Sequence, residues 1–112
     1  MNLQDLDTYI SGDTGTDTIL DLVDRAGAAL DLTGATAIVL DAVSAQRDVL
    51  AISGSISGAA TAGAVILENV AQAFTPTRAR PIIHFEGILR WTQAGESWRS
   101  LDGVTFAIRL FP

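Results

Sequence analysis

His84 is the only histidine of the chain, two residues from Glu86 and six from Arg90. An imidazole beside a carboxylate is raw material for acid–base chemistry near neutral pH. A catalytic role would also need a nucleophile or a metal partner, and a solitary histidine brings neither. On a strand, residues 84 and 86 share a face, so the pair reads as a surface or interface contact. Asp13, Asp17, Asp21 and Asp24 offer hard oxygen ligands of the kind calcium takes, but not at the spacing of an EF-hand loop. Together with Asp5 and Asp7 they read as a solvated acidic edge that discourages edge-to-edge strand pairing. Glu86 with Glu96 or Asp102 would supply the two carboxyls of glycoside hydrolysis, yet no aromatic sugar platform surrounds them.

The remaining motifs fall to similar tests. Ser44, Ser53, Ser55 and Ser57 lie in no nucleophile elbow. The glycine-rich tract 54–64 contains no lysine and leads into no helix, so it is not a phosphate loop. Arg78 and Arg80 make too small a basic patch for DNA. There is no cysteine, which removes disulfides, zinc–thiolate sites and thiol catalysis together. No catalytic, cofactor-binding or metal-ligating residue is assigned, and the chain is not expected to be an enzyme.

The elements that must position these residues are strands. The 112 residues suit one domain over 1–112, with one core. Nearly half the residues are apolar and mean hydropathy is +0.33, so disorder is not expected. No apolar run approaches a membrane span, and the N-terminus lacks a basic start followed by an apolar run; a soluble protein not exported by that route is expected. Helical spacing is absent apart from a turn near residues 69–74, whereas period-two alternation recurs. Strands are expected over 6–10, 18–23, 38–41, 48–57, 65–68, 82–92 and 104–110. About seven antiparallel strands at short spacing fit a β-sandwich. The clearest are the last two, with Ile83, Phe85, Leu89 and Trp91 on one side of the first, and Val104, Phe106, Ile108 and Leu110 on one side of the second.

Turn residues punctuate the strands. Gly27 and Gly34 permit positive φ, Ala94-Gly95-Glu96 reads as a hairpin loop, and Leu101-Asp102-Gly103 as a turn or bulge. Pro76 and Pro81 bracket a connector that cannot lie in a central strand, and 54–64 reads as a long flexible hairpin. Trp91 is in register with the core residues Phe85 and Leu89. Trp98, across the hairpin, is either its cross-strand partner or an exposed ligand platform.

Charge and exposed apolar surface bear on partners. Residues 1–72 hold ten acids against Arg25 and Arg47, whereas residues 73–112 hold three acids against five arginines. Such asymmetry suits head-to-tail packing of like subunits if the two halves stay apart in space, and a net charge of −6 argues against nucleic acid. Facing away from the core are Ile19, Val23, Val39, Ile66 and Phe111, more apolar surface than a monomer of this size ordinarily exposes in one patch. Residues 1–12, with Leu3, Leu6, Tyr9 and Ile10, form an N-terminal arm suited to adding a strand to an adjacent subunit.

One stretch looks like a family signature. Asp31-Leu32-Thr33-Gly34-Ala35-Thr36 forms a corner after the Asp24-Arg25-Ala26-Gly27 turn, preceded by the approach Gly12-Asp13-Thr14-Gly15-Thr16. With the glycine-rich middle, the proline-bracketed connector and two closing strands, this resembles the immunoglobulin-like module of tailed-phage structural proteins, as in the N-terminal domain of baseplate upper proteins. The resemblance implies a single immunoglobulin-like β-sandwich and a non-enzymatic virion subunit, assembled in the host cytoplasm and located in the tail or baseplate. It would act through oligomerisation and docking, with copies of itself and other virion structural proteins as partners, and with no nucleic acid, membrane or cofactor. The chain stops at Pro112 where longer relatives continue, which favours an adaptor, decoration or hub component over host recognition. The expected interface residues are Val39, Ile66 and Phe111 for packing, Arg78 and Arg80 for acidic neighbours, and Tyr9 and Ile10 in the arm. A capsid decoration protein and a small carbohydrate-binding module using Trp98 are the alternatives.

Overall fold

The computed structural model describes residues 4–13, 17–24, 26–99 and 103–110. Among these residues lie eight strands: β1 (Gln4–Ile10), β2 (Thr18–Asp21), β3 (Thr36–Ser44), β4 (Val49–Ile56), β5 (Ala64–Leu67), β6 (Ile82–Gln93), β7 (Glu96–Arg99) and β8 (Val104–Arg109). Two single-turn 3-10 helices, Ala60–Ala62 and Val70–Gln72, interrupt them. The strands form one curled mixed sheet in the order β1-β8-β6-β3-β4-β5-β2, with β7 added to β6. The protein is therefore all-β, with eight described strands where about seven were expected.

The pairing is antiparallel throughout with one exception. β1 runs parallel to β8, with Gln4 beside Val104 and Ile10 beside Arg109. A parallel partner leaves no local trace in the sequence, because it comes from the far end of the chain and has no hairpin turn to announce it. Residues 4–10, expected as part of an arm, complete a strand of the chain's own sheet. Tyr9 is buried and packs edge-on against Phe106, and its hydroxyl meets Thr18 Oγ1 at 2.5 Å. β1, at one end of the sheet, is thereby tied to β2 at the other.

β6 is the spine. Its residues alternate exposed and buried without a break from Ile82 to Trp91, as a half-buried strand dictates. Phe85 and Leu89 point inward with Leu40 of β3, Ile52 of β4, Leu20 of β2, Val65 and Leu67 of β5, and Phe106 and Ile108 of β8. Phe85 stacks on Phe106, with ring centroids 5.3 Å apart, and meets Phe74 edge-on at 5.4 Å. Gly87 interrupts this apolar row because β3 passes too close: a Cβ there would lie 2.9 Å from the Asp41 carbonyl oxygen.

The sheet curls at β4. Residues 49–53 pair with β3, whereas residues 54–56 pair with β5. Gly54 sits at the changeover, where a Cβ would press on Val65 and Ile38 at 3.1 and 3.2 Å. The tract 54–64, expected as a long flexible hairpin, instead holds the end of β4, a turn and a 3-10 helix before β5. Both ends of that connection pair with a neighbour, which anchors it. Residues 69–74 form the expected turn, with Val70 and Ala71 buried.

Candidate functional site

The outward face of β4, β3 and β6 is built by register. Val49, Val43 and Glu86 form one cross-strand row; Ala51, Asp41 and Ile88 form the next; Ser53, Val39 and Arg90 form the third. β7 extends the third row by pairing Arg99 with Arg90. All these residues fall on odd positions of β3 and β4 and even positions of β6, so they point away from the core by the same alternation that buries their neighbours. Val49 is 76% exposed, and Val43 and Ile88 are each 45% exposed. β-branched residues suit a strand on either face, so pleat geometry favours them without demanding solvent exposure. Val49 and Val43 thus face one another across the hairpin, with Ile88 in the adjacent row.

Two depressions lie on this face and share Val43 and Glu86. One, of about 630 Å³, is bordered by Leu6, Thr8, His84 and Ala107. The other, of about 470 Å³, is bordered by Asp41, Ile88, Arg90 and Arg99. Arg90 Nε donates to Asp41 Oδ2, an ion pair about half exposed on each side. At that exposure it contributes little to stability and chiefly orients the guanidinium. His84 and Glu86 lie on the same face as expected, along the first depression. The hydroxyl of Ser44, on the same border, is committed to Asp48 Oδ2 at 2.6 Å. The surface offers apolar contact and balanced charge.

The expected interface residues are placed in different ways. Val39 lies in the third row and Ile66 on β5 opposite Ile19, both half-buried. Ile10 is half-buried at the end of β1, and Tyr9 is in the core. Phe111 lies outside the described residues, as do Leu101 and Asp102 of the expected turn. Arg78 is exposed. Arg80 is engaged within the chain, donating to both carboxylate oxygens of Asp48 and, at 3.1 Å, to Gln46 Oε1. Its guanidinium, expected to meet acidic neighbours in another subunit, thus has an acidic neighbour within the chain. Those bonds, with the one from Ser44, hold the Asp48 carboxyl down at about 2, and the same contact raises the Arg80 pKa.

Three acids of the N-terminal half, Asp17, Asp24 and Asp31, hold backbone N–H groups of turns and connections. Asp24 Oδ1 accepts from the backbone N–H of Ala26 and Ala28, and Asp17 Oδ1 from that of Asn69. Asp31 Oδ1 accepts from the Thr33 hydroxyl and N–H, which lowers its pKa, and this turn sets the corner that buries Leu32. The Gln93 carboxamide clamps the corner to β6 by donating to the Asp31 and Thr33 carbonyls. Trp98 stands directly opposite Trp91 across the hairpin. Trp91 is buried; Trp98 is 47% exposed, with its indole N–H on the Gln93 carbonyl. The two tryptophans are thus cross-strand partners, with one ring half in solvent.

No family model matches the chain, and no curated protein is significantly similar to it.

Val43, Val49, Ile82 and Ile88 are exposed apolar residues that sequence reasoning passed over. Ile88 stands between outward Glu86 and Arg90, so period two alone marks it as outward. Val43 and Val49 flank the Ser44–Asp48 turn symmetrically, which marks them as opposed across a hairpin.

Proposed function

We propose that this protein is a non-enzymatic structural subunit of a tailed-phage particle, in the tail or baseplate, working by self-association and docking. The observation that carries the assembly role is the outward face of β4, β3 and β6, with Val49, Val43 and Ile88 exposed in adjacent rows. A face of this kind gains by being covered, at about 25 cal/mol per Å² of apolar area removed from water.

The virion assignment rests on the resemblance carried by the Asp31–Thr36 corner and the elements around it. Strand order supports an immunoglobulin-like reading. The neighbours β3-β6-β8 and β2-β5 correspond to the C-F-G and B-E neighbours of an immunoglobulin sandwich, with β4 shared between the two layers. Placement in a capsid as a decoration protein is served by the same surface.

The test is absolute mass by light scattering across a concentration series, paired with labelling of the protein in intact particles. A discrete oligomer and a label at the tail tip are expected. A monomer at the highest concentration, with no incorporation into particles, overturns the reading. Half-exposed Trp98 favours a glycan-binding module as the second reading. Glycan-array binding abolished by Trp98→Ala would establish it, and silence on a broad array would remove it.

A further inference from the structure

The geometry points to the outward face of β3 and β6 as an isologous interface that pairs two copies of this chain about a two-fold axis crossing β6 at Ile88. The inference rests on the self-association reading above and names the partner and symmetry of that same surface. The first support is charge balance. The depression around Ile88 is lined by two acids, Asp41 and Glu86, and two arginines, Arg90 and Arg99, in a chain whose net charge is −6. A partner that carries the chain's overall acidity elsewhere can approach this patch without like-charge repulsion.

The second support is order along the strands. Outward on β6, Glu86, Ile88 and Arg90 run acid, apolar, base; outward on β3, Val43, Asp41 and Val39 run apolar, acid, apolar. A two-fold axis in the plane of contact reverses one copy along the strand direction. It sets Ile88 on Ile88, each Glu86 over the other copy's Arg90, and each Val43 over the other copy's Val39. Asp41 shares the axis row with Ile88 and so faces the Asp41 of the other copy. Each carboxylate is offset by its ion pair with the Arg90 of its own chain, which leaves that guanidinium to bridge Asp41 and the other copy's Glu86. Self-complementarity under a two-fold operation is what an isologous contact requires. Four strands about 4.8 Å apart, with three rows of outward side chains about 6.7 Å apart, give roughly 400 Å² per copy. That is below the roughly 800 Å² per partner of a standard stable interface, so the dimer is concentration-dependent.

The experiment is sedimentation velocity on the full chain across a concentration series, for wild type, Ile88→Glu, Glu86→Arg, Arg90→Glu and an equimolar mixture of the last two. Wild type should dimerise. Each single variant should weaken the dimer by at least about tenfold, because like charges or a buried carboxylate then face the axis. The mixture should regain most of the lost affinity, since a heterodimer of Glu86→Arg with Arg90→Glu restores opposite charges at both symmetry-related contacts. Unchanged melting temperatures for these exposed positions separate loss of pairing from loss of fold. A wild-type oligomer indifferent to all three substitutions overturns this face and leaves self-association standing through another. Weakened variants without rescue in the mixture overturn the two-fold geometry. A wild type that stays monomeric, or that protects Ile88 only when other virion proteins are added, overturns the second copy as occupant.

Discussion

The two limbs of the curled sheet are stabilised differently. In the wide limb, β3 and β6 are nine and twelve residues long and pair over most of their length. In the narrow limb, β2 and β5 are four residues each, and much of the order comes from the connections: the Asp24 turn, the Asp17 bond to Asn69, and Gly63 beneath Leu22 and Leu30. Long strands bury enough apolar surface to tolerate a variable outer face. Short ones depend on backbone geometry at a few points. Exposed apolar residues occur on both limbs: Val43, Val49 and Ile88 on the wide one, and Ile19, opposite half-buried Ile66, on the narrow one.

The sharpest way to break this comparison is within β6 itself. Phe85→Ala should cost about 3–5 kcal/mol by emptying the stack with Phe106 and Phe74, whereas Ile88→Ala, on the opposite face, should change stability by less than about 0.5 kcal/mol. Urea denaturation of the two variants measures both. Equal losses would mean that the outer face is part of the core.

The narrow limb should fail through its backbone. Gly63 has φ +71°, and a Cβ there would stand 2.5 Å from the Leu22 carbonyl oxygen. Gly63→Ala is expected to cost about 1–3 kcal/mol in the same denaturation series, with hydrogen exchange accelerated first in β2 and β5. Uniform acceleration across β3 and β6 would show that the limbs unfold as one.

A stabilising change sharpens the contrast. Ala94 occupies the left-handed region at φ 53°, followed by Gly95 at φ 78°, in the two-residue turn between β6 and β7. Asn tolerates that conformation better than Ala, so Ala94→Asn should raise stability by about 0.5–1 kcal/mol, read as a higher melting temperature.

The smallest effect concerns acid. Asp48 has its pKa lowered from 3.8 to about 2 in the folded protein by Arg80 and Ser44. A lowered folded-state value means that its stabilisation is fully present above about pH 4 and is lost as pH falls towards 2. Asp48→Asn should lower the melting temperature by a roughly constant amount above about pH 4 and flatten its fall between about pH 4 and 2, so that the two profiles converge in acid. A mutant profile that parallels wild type through the window would show that Arg80 and Asp48 do not pair in solution.

The wide limb is legible in the sequence because a long strand with one wet face writes its period two many times over. The inward row of Ile83, Phe85, Leu89 and Trp91, and the Ala94-Gly95 hairpin, follow from that period and from turn chemistry alone. The narrow limb is harder to read. Four-residue strands carry two inward side chains each, too few for a period, and the 54–64 tract lacks large residues to mark where a strand ends. β1 reads as a free arm because its partner lies nearly a hundred residues away. Arg80 reads as available because its carboxylate, Asp48, comes from the β3–β4 turn, a contact no local pattern encodes. The outer face is half legible: Val39 stands out, while Ile88, Val43 and Val49 hide among residues equally suited to a buried strand.

The parallel pairing of β1 with β8 has a mechanical consequence. Because both strands run the same way, tension applied between Gln4 and Arg109 pulls them past one another along a contact of about 20 Å. The hydrogen bonds joining them then share the load and must break together, whereas the β6–β7 hairpin, pulled open from its end, would peel one bond at a time. A chain pulled by these two strands would therefore resist stretching most strongly along the β1–β8 contact.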